Sequence, residues 1–81
     1  MIEELIDKVN NAFKVDLKHK KMTRLSTYLK IIIVSKTDLN DVELANLLNR
    51  DRVTIAYYRK RYSELKKYSD FKELIEKVEA L

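Results

Sequence analysis

Arg50, Asp51, Arg52, Val53 and Thr54 stand in one run, with Tyr57 and Arg61 following at helical spacing. These residue types can read the edges of base pairs. A guanidinium such as Arg52 bonds guanine O6 and N7 in bidentate fashion, Val53 and the Thr54 methyl suit a thymine methyl, and Asp51 can accept from cytosine N4. Asp51 has an equally good structural use as a helix N-cap. Arg50, Arg59, Lys60 and Arg61 suit phosphate oxygens, which give affinity and register but carry no sequence information. The same segment carries Ile55, Tyr58, Tyr62 and Leu65 at steps of three and four, the stripe that docks a helix on a core. Arg52, Val53, Thr54, Tyr57 and Arg61 fall between those positions and point elsewhere. A helix built this way keeps an apolar face for its own domain and a basic face for a polyanion.

The elements that must position this helix can be read from apolar spacing and capping residues. Ile2, Leu5, Ile6, Val9, Ala12 and Phe13 predict a first helix over about residues 2–13. "VDLKHKK" breaks the pattern and reads as a basic loop holding Lys18, Lys20 and Lys21. A second helix is expected from about Thr23 to Val34, with Leu25, Leu29, Ile32 and Ile33 inward. The β-branched "IIIV" would also suit a strand, but the chain offers no second segment to pair with it. Asn40 is a good N-cap with Glu43 placed for a capping box, so a third helix runs "DVELANLL" and stops at Asn49. Asp51 then caps a fourth helix from Arg52 to about Lys67. Ser69 or Asp70 caps a fifth, with Phe71, Leu74, Ile75, Val78 and Leu81 inward. The third and fourth helices are separated by only Asn49–Asp51, the spacing of a helix-turn-helix, whose second helix enters the major groove by its first turn. The expected fold is therefore all α: one small five-helix domain over residues 1–81, with a helix-turn-helix in helices 3 and 4 and a preceding basic loop.

Composition removes most other functions. With 81 residues there is room for one domain. No Cys is present, and a single His, His19, does not make a metal site, so no metal or cofactor is expected. The absence of Gly excludes a glycine-rich phosphate loop. No Ser, His and Asp arrangement or spaced carboxylate pair suggests an enzyme. The longest apolar run, "IIIV", falls far short of the ~20 residues of a membrane span, and the acidic start is unlike a signal peptide. A cytoplasmic protein without a membrane partner is expected. The net charge of +4 is segregated along the chain. Glu3, Glu4 and Asp7 mark an acidic start, and Glu73, Glu76 and Glu79 an acidic end. Lys14, Lys18, Lys20, Lys21, Arg24 and Lys30 form one basic block, and Arg50 to Lys67 another. A polyanion touching the middle of the chain is the simplest partner, weighed against an ordinary solvated surface.

The stretch "ELANLLNRDRVTIAYYRKRYSELK" resembles the C-terminal DNA-binding domain, domain IV, of the bacterial chromosomal replication initiator DnaA. Glu43, Leu44, Arg50, Asp51, Thr54 and Ile55 fit that family's pattern. "VNNAFKVDLKHKKMTRLSTYLKIII" is similar to its first helix, basic loop and second helix, and "DFKELIEKVEAL" to its last. The resemblance implies that Asp51, Arg52, Val53 and Thr54 face bases in the major groove. It also implies that Lys18, Lys20 or Lys21 enters the adjacent minor groove, and that the domain acts as a monomer. This chain departs from the family at Arg52, which replaces His, at Val53, which replaces Thr, and at the two turn glycines, one of whose places Asn49 takes. Its loop has Lys where Arg is usual, and Arg suits a narrow minor groove better. The initiator's ATPase domain is absent from the sequence.

The expected partner is thus double-stranded DNA, bound with sequence preference through Lys18, Lys20, Lys21, Arg24, Arg50, Asp51, Arg52, Val53, Thr54, Tyr57 and Arg61. Replication initiation, origin recognition and transcription regulation are the candidate processes. A stand-alone copy of the domain would suit a phage or plasmid, and an excised domain would read the same way. The alternative is a protein-interaction module on the same fold that binds a replication or regulatory protein, for which the exposed tyrosine Tyr57 would be suited.

Overall fold

Local capping decides where the helices begin. The structure is a computed structural model that describes residues 2–19 and 23–81. Its five helices are α1 (Ile2–Phe13), α2 (Arg24–Ser35), α3 (Asp41–Leu48), α4 (Arg52–Leu65) and α5 (Ser69–Glu79), with no strand among the described residues. The all-α expectation holds, and "IIIV" is helical. At α2, Thr23 Oγ1 accepts from the Ser26 N–H and Ser26 Oγ accepts from the Thr23 N–H, each at 3.1 Å. This is the reciprocal capping box. At α3, Asn40 Oδ1 accepts from the Glu43 N–H at 2.9 Å as expected, but the full box falls at Thr23 instead. Asp51 Oδ1 accepts from the Thr54 N–H at 2.8 Å and starts α4.

α5 begins differently from expectation. α4 stops at Leu65 rather than near Lys67, and the Tyr68 N–H closes back on Leu65 O at 2.9 Å. That tight connection makes Tyr68 the N-cap, with Ser69 already helical and no side-chain cap bond. Packing supplies what capping does not. The buried Phe71 ring meets Tyr28 edge-on at 5.4 Å and Tyr62 at 6.0 Å, which seats α5 on α2 and α4.

α2 is the axis of the molecule. It packs against α1, α4 and α5, while α3 packs on α4. Leu29, Lys30, Ile31, Ile32, Ile33 and Val34 are consecutively buried. A helix apolar all round belongs inside a fold, and the branched run serves that purpose here. The core adds Ile6 and Val9 from α1, Leu44 and Leu48 from α3, and Ile55, Tyr58 and Leu65 from α4. Two residues expected inside are exposed, Leu25 at 39 % and Leu81 at 41 %. Leu25 precedes the first fully enclosed turn of α2, and Leu81 lies beyond the end of α5. The loop after α1 contributes Leu17, fully buried, whose N–H donates to Asn10 Oδ1 at 3.1 Å. No described helix is long and apolar enough to cross a membrane.

Candidate nucleic-acid interface

The connection between α3 and α4 is held from two sides. Asn49 adopts the left-handed conformation, φ 53° and ψ 49°, which asparagine tolerates better than most residues. Its N–H and that of Arg50 both return to Ala45 O, closing the end of α3. The Asn49 side chain also reaches across the fold and donates from Nδ2 to Lys18 O at 3.1 Å. Arg50 reinforces this link. Its Nη2 donates to His19 O at 3.0 Å and its Nη1 to Asn49 O at 2.9 Å. The loop backbone at residues 18–19 and the start of α4 are therefore one assembly. Asp16 Oδ1 adds a local turn by accepting from the Lys18 N–H at 3.0 Å, and buried Leu17 anchors the loop below. Lys18 itself is exposed. Lys20 and Lys21 lie outside the described residues.

Beyond the turn, α4 presents the face the sequence pattern predicts. Asp51 and Arg52 are exposed, Val53 is 75 % exposed, Tyr57 56 %, and Thr54 is half-buried beneath its cap. Hydrogen bonds from Thr54, first from its backbone and then its side chain, hold the Asp51 carboxyl below its usual range. Asp51 thus serves as an N-cap, and one of its acceptor sites is already committed. Lys60, suited to a phosphate by sequence, is exposed on the same face, and so is Ala56, which was not among the residues expected to bind. Ala56 lies three positions from Val53 and four from Arg52, and that spacing is the signal that locates it.

Two arginines are employed differently from expectation. Arg50 suited a phosphate by sequence, but it is half-buried and spent on the loop–turn junction. Arg59 suited one too, but its Nε donates to Asp41 Oδ1 at 2.8 Å and its Nη2 to Leu39 O at 2.9 Å. It ties α4 to the start of α3. Arg24 and Arg61 form a second locus. They share a cleft of about 270 Å³ with Tyr28, Tyr68 and Phe71. Arg24 Nε donates to the Tyr28 hydroxyl at 3.3 Å and its guanidinium lies 5.4 Å from that ring centre, a cation–π distance. Arg61 makes a long 3.4 Å contact with Glu64, a surface pair of small energetic weight.

Lys30 is the largest departure. It belongs to the first basic block in sequence, yet it is 0 % exposed and its Nζ has no hydrogen-bond partner. Burial first and the Arg50 charge second bring its pKa down to about 8, with Asp16 pulling the other way. Tyr58 lies in the same interior. Burial raises its phenol pKa and the Arg50 guanidinium partly offsets that, although the hydroxyl meets no partner in hydrogen-bonding geometry. Neither group can touch a ligand on the surface.

Among the described residues, no group of three or more His, Cys, Asp or Glu could hold a metal ion. No protein-family model matches this chain, and no curated protein or solved structure matches it.

Proposed function

We propose that this protein binds double-stranded DNA, with α3, the turn and α4 acting as a helix-turn-helix. The first turns of α4 enter the major groove and the loop before α2 lies at the adjacent minor groove. The observation that carries this reading is the junction of Asn49 and Arg50 with the carbonyls of Lys18 and His19. It ties the loop backbone at residues 18–19 to the start of α4, so a duplex would meet that part of the loop and the exposed face of α4 in a fixed arrangement. On that surface Arg52 reads a guanine edge, Val53 and Thr54 contact a thymine methyl, and Tyr57 packs on a sugar or base. Thr54, Tyr57 and Arg61 lie at steps of three and four, and Arg61 shares its cleft with Arg24. This line of residues suits a phosphate strand leaving the groove. Asp51 acts through its cap rather than by a base contact. Marking an origin or regulating a promoter are the roles that fit a small domain of this kind.

The test is fluorescence anisotropy with an initiator-box duplex and a scrambled duplex at two salt concentrations. Binding should weaken steeply with salt, because several phosphates release counterions. Preference for one duplex should survive at the higher salt. Arg52→Ala should reduce that preference by about tenfold or more, from a bidentate contact of about 1–3 kcal/mol. Equal losses on both duplexes would remove Arg52 from base reading. The exposed pair Val53 and Tyr57 gives the protein-interaction alternative its one specific support, and absence of binding to any duplex would favour it.

A further inference from the structure

The acidic ends of the sequence meet in space, and between them lies an apolar hollow. Leu5 and Lys36 line both of two adjoining depressions of about 340 and 610 Å³. Ile2, Leu39, Val78 and Leu81 supply the rest of their apolar lining. The carboxylates at the edges are Glu4, Asp38, Glu43 and Glu79, against Lys8 and Lys36. Lys36 Nζ already lies 3.4 Å from Glu79 Oε2, so among the described lining residues the three remaining carboxylates, Glu4, Asp38 and Glu43, outnumber the one remaining lysine, Lys8. Together the depressions form a trough running from the end of α5, past α1, to the start of α3. None of its residues belongs to the loop–turn–α4 surface.

We propose that this trough docks a basic amphipathic helix of another protein. Its apolar side chains, one turn apart, would enter the two depressions over Leu5. Its Lys and Arg residues would meet Glu4, Asp38, Glu43 and Glu79. Charge complementarity selects this occupant: an acidic partner would be repelled, and an uncharged one would leave the carboxylates desolvated and unpaired. A helix suits the site better than an extended strand, because the described residues include no sheet edge to extend. The trough and the proposed DNA surface use separate residues, so one molecule could hold both partners at once. The trough's partner does not depend on the DNA reading being right.

The test uses a designed helical peptide of about 15 residues, long enough to hold a helix, with leucines at helical spacing and lysines between. A second peptide carries glutamates in place of the lysines. Each is titrated into ¹⁵N-labelled protein. The expected result is saturable amide shifts at Leu5, Lys36, Leu39, Glu43 and Leu81 with the lysine peptide alone. Glu4→Lys with Glu43→Lys, both at exposed positions, should weaken that binding about tenfold or more, roughly 1.4 kcal/mol, with an otherwise unchanged spectrum. Four outcomes would overturn the proposal: no saturable shift at millimolar peptide, equal binding of the glutamate peptide, shifts confined to Val53 and Tyr57, or a protein dimer in sedimentation that the double variant disperses. The last would make a second copy of this chain the occupant.

Discussion

Replacing Lys30 with methionine should stabilise the protein, by an amount that depends on pH. Lys30 is wholly buried and its ammonium makes no hydrogen bond. Its pKa of about 8, against 10.5 when free, corresponds to about 3 kcal/mol of penalty carried by the folded state at pH 7. Methionine keeps the length of the buried stem and has nearly the same helix propensity. The gain at pH 7 should therefore approach 3 kcal/mol, a rise in Tm on the order of 10–20 °C for a domain of this size. The sign with pH follows from proton counting. Between pH 8 and 10.5 the unfolded chain holds the Lys30 proton and the folded chain has released it. Wild-type stability must rise with pH through that window, and the advantage of Lys30→Met should shrink by about 2 kcal/mol between pH 7 and 9.5. The window should stop there, because Tyr58, whose pKa is raised from 10.0 by burial, titrates above it and acts in the opposite direction. Urea unfolding at pH 7.0, 8.5 and 9.5, followed by circular dichroism, gives both slopes. A variant no more stable than wild type at pH 7, or a gain that does not change with pH, would refute the account. Either result would mean that the Lys30 charge is compensated in solution, and Asp16→Asn, which removes the one carboxylate that favours it, would then be strongly destabilising.

Other substitutions separate positioning from contact. Asn49→Gly should keep the left-handed turn, where glycine is at ease, and lose the bond to Lys18 O. Its Tm should stay near wild type while DNA affinity in anisotropy falls several-fold. Arg59→Ala should break the ties to Asp41 and Leu39 O and lower stability by about 1 kcal/mol, with no loss of DNA preference; Arg52→Ala should do the reverse. Asp51→Ala should lower Tm by a few degrees, whereas Asp51→Asn should retain the cap. Because hydrogen bonds depress the Asp51 pKa, its support is present above the unfolded carboxylate range and is lost as pH falls through the folded value. Acid melts of the Asp51→Asn variant should lack that part of the decline.

The amphipathic elements were legible because each has one buried stripe. Ile55, Tyr58, Tyr62 and Leu65 could be assigned from spacing alone, as could the caps at Asn40 and Asp51 and the turn at Asn49. α2 was not fully legible, because neighbours on several sides erase the period that a one-sided helix shows. Its apolar run signalled burial, but nothing local told whether Lys30, next to that run, would be drawn inside with it. Charge was the other obscure quantity. A guanidinium has the same letter whether it faces solvent, as at Arg52, or bonds a carbonyl 31 positions earlier in the chain, as Arg50 does to His19.

These two illegible features bear on one another. The Arg50 charge that fastens the loop to the turn also depresses the Lys30 pKa. The junction that sets the proposed DNA surface is thus built above a buried cation that makes no hydrogen bond. Natural proteins tolerate local instability where a binding surface requires it. If Lys30 serves only packing, Lys30→Met should leave DNA affinity unchanged at every pH. If the repulsion between Lys30 and Arg50 sets how far Arg50 reaches toward His19, removing it should tighten the loop and alter affinity at pH 7 but not at pH 9.5, where the wild-type lysine has itself become largely neutral. Anisotropy at those two pH values decides between a tolerated lysine and a tuned one.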